Sequence, residues 1–162
     1  MHVYLVQHGK AKPAEEDPNR GLTEEGRADV SRVAEFLFEL RISVPLIQHS
    51  GKPRAEETAH ILASAIRTTT GPNHTQGLDP SDDPAHTANF LKVYTDDVII
   101  VGHLPHLERL ASILLTGSPD RRPIQFQNGG VLCIEKAQNG TWSVVWAVVP
   151  NLLRTPNMLA AD

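Results

Sequence analysis

Two histidines in this sequence each follow a short apolar run at the point where the run ends. His8 comes shortly after Val3–Val6, and His103 comes shortly after Val98–Val101. Such runs predict buried strands, and ligands of open α/β sheets bind in the crevice at the carboxyl ends of the strands. If the two strands are neighbours in one parallel sheet, the two imidazoles face each other across a pocket. Gly9 is expected to let the backbone turn sharply and approach a ligand closely.

Two arginines are placed to join this pocket. Arg54 falls in the first turn of a helix that is predicted to begin near Pro53, and Arg20 lies in the loop after the first strand. Helix N-termini favour anions, and guanidinium groups bind phosphate oxygens in a forked geometry. Two imidazoles, two guanidiniums and helix N-termini at one sheet edge therefore predict a site for a phosphoryl group, with a histidine able to act as the nucleophile.

The elements that position these residues follow from apolar periodicity and turn signals. Thr23 predicts a helix N-cap, Asn139-Gly140 predicts a hairpin turn, and residues 68–87 are predicted to be a loop with one short strand. Helices are predicted over about 24–41, from about 53, near 84–94 and from Pro105, and strands over 3–6, 46–47, 98–101, 129–135 and 142–149. This order predicts a three-layer α/β/α sandwich with a mostly parallel central sheet and an antiparallel edge.

Length and composition narrow the class of protein. The 162 residues predict one domain over residues 1–150 and a C-terminal tail, 151–162, without a clear pattern. The sequence has no run of about 18 apolar residues, so no membrane-spanning helix is predicted. A net charge of −4 without a long basic block disfavours nucleic-acid binding. A single cysteine, Cys133, cannot form an internal disulfide, so a cytoplasmic location is expected.

Four short motifs, taken together, resemble those of the histidine phosphatase superfamily, specifically its cap-less branch of SixA-type phosphohistidine phosphatases. The resemblance extends over roughly residues 2–150 and implies a phosphoglycerate-mutase-like fold. The first motif resembles the family's RHG, the second R-P-L-T-x-x-G, the third S-P-x-x-R-A-x-x-T and the fourth S/G-H-x-P. The matching segments are Gln7-His8-Gly9, Arg20-Gly-Leu-Thr23 with Gly26, Ser50–Thr58 and Gly102–Pro105.

The resemblance implies a role for each site residue. His8 would attack phosphorus and become phosphohistidine, while His103 would face it and hydrogen-bond the transferred group. Arg54 and Arg20 would neutralise its oxygens, with Gln7 as a further phosphate contact. His8 must then be neutral, with one ring nitrogen donating to backbone. No metal or cofactor is expected, because arginines and an imidazolium supply the positive charge. The partner would be a protein that carries phosphohistidine.

Gln7 stands where the family has arginine. A glutamine brings a neutral hydrogen bond, worth about 1 kcal/mol, in place of a charge-assisted one of roughly 1.5–3 kcal/mol. A deficit of about 1–2 kcal/mol in the transition state would slow the reaction about 5- to 30-fold. Lys10 is either a partial replacement for this charge or a solvated loop lysine, and the second interpretation is favoured.

The sequence contains no clear motif for the general acid, the group that would protonate the leaving group. Asp79 and Asp82 are candidates, although a role in turns or helix capping is favoured for both. A site without a firm acid suits phosphohistidine, whose labile P–N bond needs less help than an alcohol leaving group. Two alternatives stay open: a phosphate- or phosphoprotein-binding module that has lost turnover, and a small-molecule phosphomonoesterase.

The remaining polar candidates have simpler explanations. His103 and His106 have the spacing of a zinc motif, but Pro105 lies between them and a third ligand is lacking. Ser50 is predicted to be a turn or capping residue without an adjacent base. Four further histidines are predicted to be surface or packing residues, namely His49, His60, His74 and His86. The apolar hairpin near Trp142 and Trp146 hints at a contact surface, and the oligomeric state is left open.

Overall fold

A six-stranded sheet lies at the centre of the computed structural model, which describes residues 1–154. In chain order the elements are β1 (His2–Gln7), α1 (Glu24–Glu39), β2 (Ser43–Val44), β3 (Leu46–His49), α2 (Pro53–Ala65), β4 (Arg67–Thr68), β5 (Pro72–His74), α3 (Pro84–Val93), β6 (Val98–Gly102), α4 (His106–Thr116), β7 (Val131–Lys136), β8 (Trp142–Val148) and a 3-10 helix (Pro150–Leu153). The strand order is β5-β3-β6-β1-β7-β8. The first four strands are parallel to one another, β7 pairs antiparallel with β1, and β8 pairs antiparallel with β7. This confirms the predicted sandwich and its antiparallel edge.

The central strands β1 and β6 bury both of their faces, as a parallel sheet between helices requires. Successive side chains of β1 point to opposite faces, so that Tyr4 and Val6 pack in the cluster with α1 and α2. Val3 and Leu5 belong to the cluster with α3 and α4. All five residues of β6 are buried. The central strands therefore hold the two helical layers in place and fix where their own carboxyl ends lie.

Local signals explain the helix ends. Thr23 caps α1 by accepting a hydrogen bond from the Gly26 amide, and Gly117 ends α4 in the left-handed conformation at φ 76°. α1 ends at Glu39, two residues before the predicted 41, since Arg41 turns the chain at φ 56°. The small sheet of β2 and β4 was not predicted, because strands of two residues leave no periodic signal.

The antiparallel edge contains the predicted apolar hairpin. Trp146 packs against Tyr4 and Phe36 at ring-centroid distances of 5.9 Å, and Cys133 is buried and unpaired. A contact surface at this hairpin stays a prediction. Among the described residues, no helix combines the length and the apolar character needed to cross a membrane. The predicted tail lies outside the described residues from 155 onward.

The start of α1 packs unusually close to the loop after β1. A Cβ at Gly9 would lie 2.8 Å from Val30 Cγ2 and 3.0 Å from the Gly26 carbonyl oxygen, and a Cβ at Gly26 would collide with the Lys10 backbone. The missing side chain of Gly9 makes room for α1, and close approach of a ligand to its backbone stays a prediction. The two glycines set how α1 sits against the segment that carries His8.

We predict that Gly26→Ala lowers the free energy of unfolding by about 1–3 kcal/mol, because the new methyl group collides with backbone that cannot move aside cheaply. Helix propensity alone predicts the opposite sign, a gain of about 1 kcal/mol for alanine. Urea unfolding measures the change, and Glu35→Ala on an exposed position of the same helix is the control. A variant as stable as the parent would show that the close contact is not maintained.

Candidate active site

The parallel register of β1 and β6 brings the two predicted histidines together. Gln7 pairs with Gly102, so the next residue of each strand leaves the sheet at the same edge. The backbone amide of His8 donates to the Gly102 carbonyl at 3.1 Å. The rings of His8 and His103 lie with their centroids 4.9 Å apart at an interplanar angle of 54°. The structure thus has the two imidazoles facing each other, as the sequence predicted.

The ring of His8 is oriented by its own turn. Its Nδ1 lies 2.7 Å from the Gly9 carbonyl oxygen, which can only accept, so Nδ1 carries the proton and Nε2 carries the lone pair. Burial lowers the pKa of His8, and the nearby charges of Arg54 and Arg20 lower it further, against the opposing effect of the Gly9 carbonyl. These surroundings favour a neutral His8 imidazole with the lone pair on Nε2.

The ring of His103 is almost fully buried. Its Nε2 lies 2.5 Å from Ser50 Oγ, while its Nδ1 has no partner within residues 1–154. Burial first, and then the proximity of His8 and Arg54, lowers the pKa of His103 to about 3. The expectation of an imidazolium does not hold for the pocket without an anion, because a cation there would be desolvated and surrounded by other cations.

Arg54 and Arg20 supply the fixed positive charge. Arg54 lies in the first turn of α2, half-buried, and within the described chain its guanidinium neither donates a hydrogen bond nor pairs with a carboxylate. Arg20 uses only its Nε, which donates to the Lys12 carbonyl at 3.3 Å. The pKa of Arg54 is lowered by burial and by Arg20, while Asp79 opposes the shift. Two neighbouring guanidiniums without acid partners form an anion-binding arrangement.

The loop that carries Arg20 is held by acidic side chains on both sides. Arg20 itself adopts a left-handed conformation at φ 53°. The Asp17 carboxylate accepts from the Gly21 amide at 3.0 Å, and Lys12 N donates to the Gly21 carbonyl at 2.8 Å. Glu57 of α2 accepts from the backbone of the following residue. These bonds fix the loop beside the first turn of α2, where Arg54 lies.

The two helices that follow β3 and β6, namely α2 and α4, have no side-chain N-cap. The N-cap positions of α2 and α4 are Lys52 and Pro105, and neither side chain accepts a hydrogen bond from the first turn. The positive end of a helix dipole favours an anion. The helix ends therefore add to the charge of the two arginines.

Thr58 connects the turn after His8 to α2. Its Oγ1 accepts from the Gly9 amide at 3.0 Å and donates to the Arg54 carbonyl at 2.7 Å. Thr58 is fully buried, so neither bond competes with water. One hydroxyl therefore sets the position of His8 relative to the helix that carries Arg54, which explains a threonine at the last position of the third motif.

Gln7 and Lys10 do not supply the missing charge. The Gln7 side-chain amide donates to Asn128 Oδ1 at 2.9 Å, while its Oε1 is buried without a partner. Lys10 forms an exposed ion pair with Glu25 at 2.5 Å, so the favoured interpretation, a loop lysine, describes its contacts. The side-chain donor of Gln7 is thus directed to the 127–130 loop.

The two candidate acids differ in their surroundings. Asp82 Oδ2 accepts from the Asp79 amide at 2.8 Å, which is the turn role expected for it. Asp79 Oδ1 lies 3.4 Å from Lys52 Nζ, and Asp79 lines a cleft with Ser50 and His74. Both aspartates line a cleft that also includes Ser50, the partner of His103.

The structure changes the interpretation of Ser50 and assigns packing roles to other histidines. Ser50 does have an adjacent base, His103, so that expectation is wrong; the contact spans two strands and leaves no local signal. His49 is buried, with its ring centroid 6.3 Å from that of His74. His106 is fully buried with neither ring nitrogen hydrogen-bonded, and burial lowers its pKa. Within residues 1–154, no three His, Cys, Asp or Glu side chains cluster as a metal site requires.

The comparisons with known proteins support the fold. No family model and no curated protein matches the chain. The protein histidine phosphatase SixA, solved with tungstate, superposes with a TM-score of 0.85 at 23% identity over 95% of this chain and 100% of its own. The SixA protein of Agrobacterium tumefaciens gives 0.73 at 22% identity over 91% of this chain and 97% of its own.

A phosphoglycerate mutase from Plasmodium falciparum also shares the architecture. Its TM-score is 0.66 at 16% identity, over 90% of this chain and 88% of its own. This chain therefore has the fold of SixA phosphatases and of a phosphoglycerate mutase, which confirms the predicted phosphoglycerate-mutase-like fold.

We predict that Thr58→Val lowers the free energy of unfolding by about 1–3 kcal/mol, because the isosteric change leaves the buried Gly9 amide without an acceptor. Thr58→Ser keeps the hydroxyl and is the matched control. Urea unfolding measures the difference between the two variants. A loss in Thr58→Val no larger than that in Thr58→Ser would contradict a dominant role of the hydroxyl hydrogen bonds at this position.

Protonation of the buried histidines gives a second prediction. His103 has a folded pKa of about 3, below its ordinary 6.5, so the unfolded chain binds more protons between these values and stability falls as the solution is acidified. At about pH 5, wild type should lose about 1 kcal/mol more than His103→Asn relative to pH 7, a figure discounted for solvent screening. The carboxylates titrate in both proteins, so urea unfolding of the pair isolates His103. Parallel losses would contradict a depressed pKa.

Proposed function

We propose that this protein is a phosphatase that removes a phosphoryl group from phosphohistidine in a partner protein through a covalent phospho-His8 intermediate. The observation that carries the proposal is the pair of neutral imidazoles of His8 and His103, whose ring centroids are 4.9 Å apart. Near them lies the guanidinium of Arg54, which has no carboxylate partner within residues 1–154. Phosphoryl transfer depends mostly on positioning and on charge stabilisation, and these residues supply both.

The proposed reaction has two steps. In the first, the lone pair of His8 Nε2 attacks phosphorus, the P–N bond of the substrate breaks, and the substrate imidazole leaves with a proton from solvent. In the second, water attacks phospho-His8 and releases inorganic phosphate, which restores His8. Arg54 and Arg20 bind the non-bridging oxygens, and His103 donates a hydrogen bond to the same group. The chemistry of these side chains requires no metal or cofactor.

Two features support phosphohistidine as the substrate. An alcohol leaving group needs a proton from a general acid, a contribution of about 10²–10⁴-fold, whereas a phosphoramidate is more labile. Asp82 is committed to a turn and Asp79 lies beside Lys52, so neither is a free carboxylic acid at the imidazoles. The SixA neighbour is a protein histidine phosphatase, and the tungstate it binds is a tetrahedral oxyanion like phosphate.

A second candidate is a phosphate- or phosphoprotein-binding module with lost turnover. The observation that favours it is the contact between Gln7 and Asn128, since the residue in the family's arginine position supplies neither a charge nor a free donor. Under this alternative the same cations would hold the anion without transfer. A cytoplasmic location, inferred from the single buried Cys133, is proposed for both candidates.

We predict that the protein hydrolyses phosphoramidate and a phosphohistidine peptide, and that His8→Asn lowers kcat by about 10³-fold or more because the nucleophile is lost. His60→Asn, at an exposed position of α2, is the control and should retain full turnover. Release of inorganic phosphate is the measurement, with phosphate affinity determined on the same samples by calorimetry.

Three other outcomes of this experiment would each contradict part of the proposed function. No turnover in any variant, with phosphate still bound, indicates the binding module. Turnover that survives His8→Asn removes His8 as the nucleophile. Faster hydrolysis of sugar or nucleotide phosphates than of phosphoramidate indicates a small-molecule phosphomonoesterase.

We predict that Gln7→Arg raises kcat on phosphoramidate about 10- to 100-fold, because a charge-assisted hydrogen bond to the transferred group, worth roughly 1.5–3 kcal/mol, is added where the Gln7 amide is directed to Asn128. Gln127→Arg adds the same charge on the exposed neighbouring loop and controls for long-range attraction. An increase of the same size in both variants would show that the effect comes from overall charge and not from the motif position.

A further inference from the structure

Ser50 is brought to His103 by the pairing of two strands. β3 lies beside β6 with His49 next to Val101, so the residues that follow the two strands leave the sheet together. Ser50 Oγ and His103 Nε2 are 2.5 Å apart, and both residues are buried. None of the roles above uses this hydroxyl, and a contact of this length between two buried groups restricts where the protons lie.

The hydrogen bonds of Ser50 decide between the two tautomers of His103. Within residues 1–154, Ser50 Oγ has two partners, His103 Nε2 and the Lys52 amide, which donates to it at 3.4 Å. If His103 carried its proton on Nε2, the hydroxyl proton of Ser50 would be buried without an acceptor. If Nε2 is unprotonated, the hydroxyl donates to it and both atoms of the short contact are satisfied.

We propose that Ser50 is a positioning residue that holds His103 in the tautomer with its proton on Nδ1. Nδ1 is the buried ring nitrogen that lacks a partner within residues 1–154, and in this tautomer it carries the proton that a bound anion would accept. The opposite tautomer would offer a lone pair there, which repels phosphoryl oxygens. The effect on turnover rests on the proposed phosphatase function, whereas the tautomer itself does not.

The pairing also resembles a serine nucleophile beside its base, but a necessary part is missing. In a catalytic triad the base is oriented by a third group on its other nitrogen. His103 Nδ1 has no such partner, and the ring faces His8 instead. Ser50 therefore acts through His103 rather than on the substrate.

The test measures the tautomer directly in the phosphate-free protein. Long-range ¹H–¹⁵N correlation spectra of ¹⁵N-histidine-labelled protein distinguish protonated from unprotonated ring nitrogens. We expect His103 in wild type to be protonated on Nδ1 alone, and Ser50→Ala to produce a mixture of the two tautomers. Ser50→Thr keeps the hydroxyl and should keep the wild-type signature. Ser64→Ala, at an exposed position of α2, controls for loss of a hydroxyl elsewhere.

Turnover of phosphoramidate supplies a second readout. Ser50→Ala should lower kcat about 10-fold with little change in KM, and Ser50→Thr should restore most of the loss. A wild-type His103 protonated on Nε2, or a Ser50→Ala protein whose His103 keeps the Nδ1 proton, overturns the proposal. Absence of phosphatase activity in wild type contradicts the proposed function alone, because the spectra still report the tautomer.

Discussion

The candidate site depends on the parallel register between β1 and β6. Gln7 lies beside Gly102, so His8 and His103 leave adjacent strands at the same level of the sheet. A slip of one residue would turn one of the two side chains to the other face. Successive side chains of both strands are buried in the two cores in turn. A slip of one residue would move apolar side chains from one core to the other, so the packing opposes it. The packing of the two cores therefore fixes the contact of the imidazoles.

The charges and hydrogen-bond donors of the pocket suit a bound anion. The pocket combines guanidiniums that lack carboxylate partners, two helix N-termini without side-chain caps, and imidazoles whose pKa values are lowered largely by burial. Each feature is unfavourable or unsatisfied by itself, and a tetrahedral oxyanion satisfies all of them together. Neutral imidazoles also meet the requirement of the proposed first step, in which His8 must offer a lone pair.

Strongly buried strands and spaced motifs made most of the fold predictable. The run Val98–Val101 and the cap at Thr23 predicted their elements to within a residue or two. The facing histidines followed from the rule that parallel strands share a carboxyl edge. The contacts of Gln7 with Asn128 and of Ser50 with His103 could not be predicted, because each joins distant segments whose polar side chains leave no periodic signal. The packing of α1 against Gly9 was not predicted, because a glycine next to a site residue does not show which neighbour approaches it.

The most direct test of the account is a crystal structure of the protein with phosphate or tungstate bound. The account predicts one anion with oxygens within hydrogen-bonding distance of His103 Nδ1 and of the Arg54 guanidinium, and with its central atom in line with His8 Nε2. An anion bound away from one of the two imidazoles, or a pocket in which Arg54 points elsewhere, would contradict it.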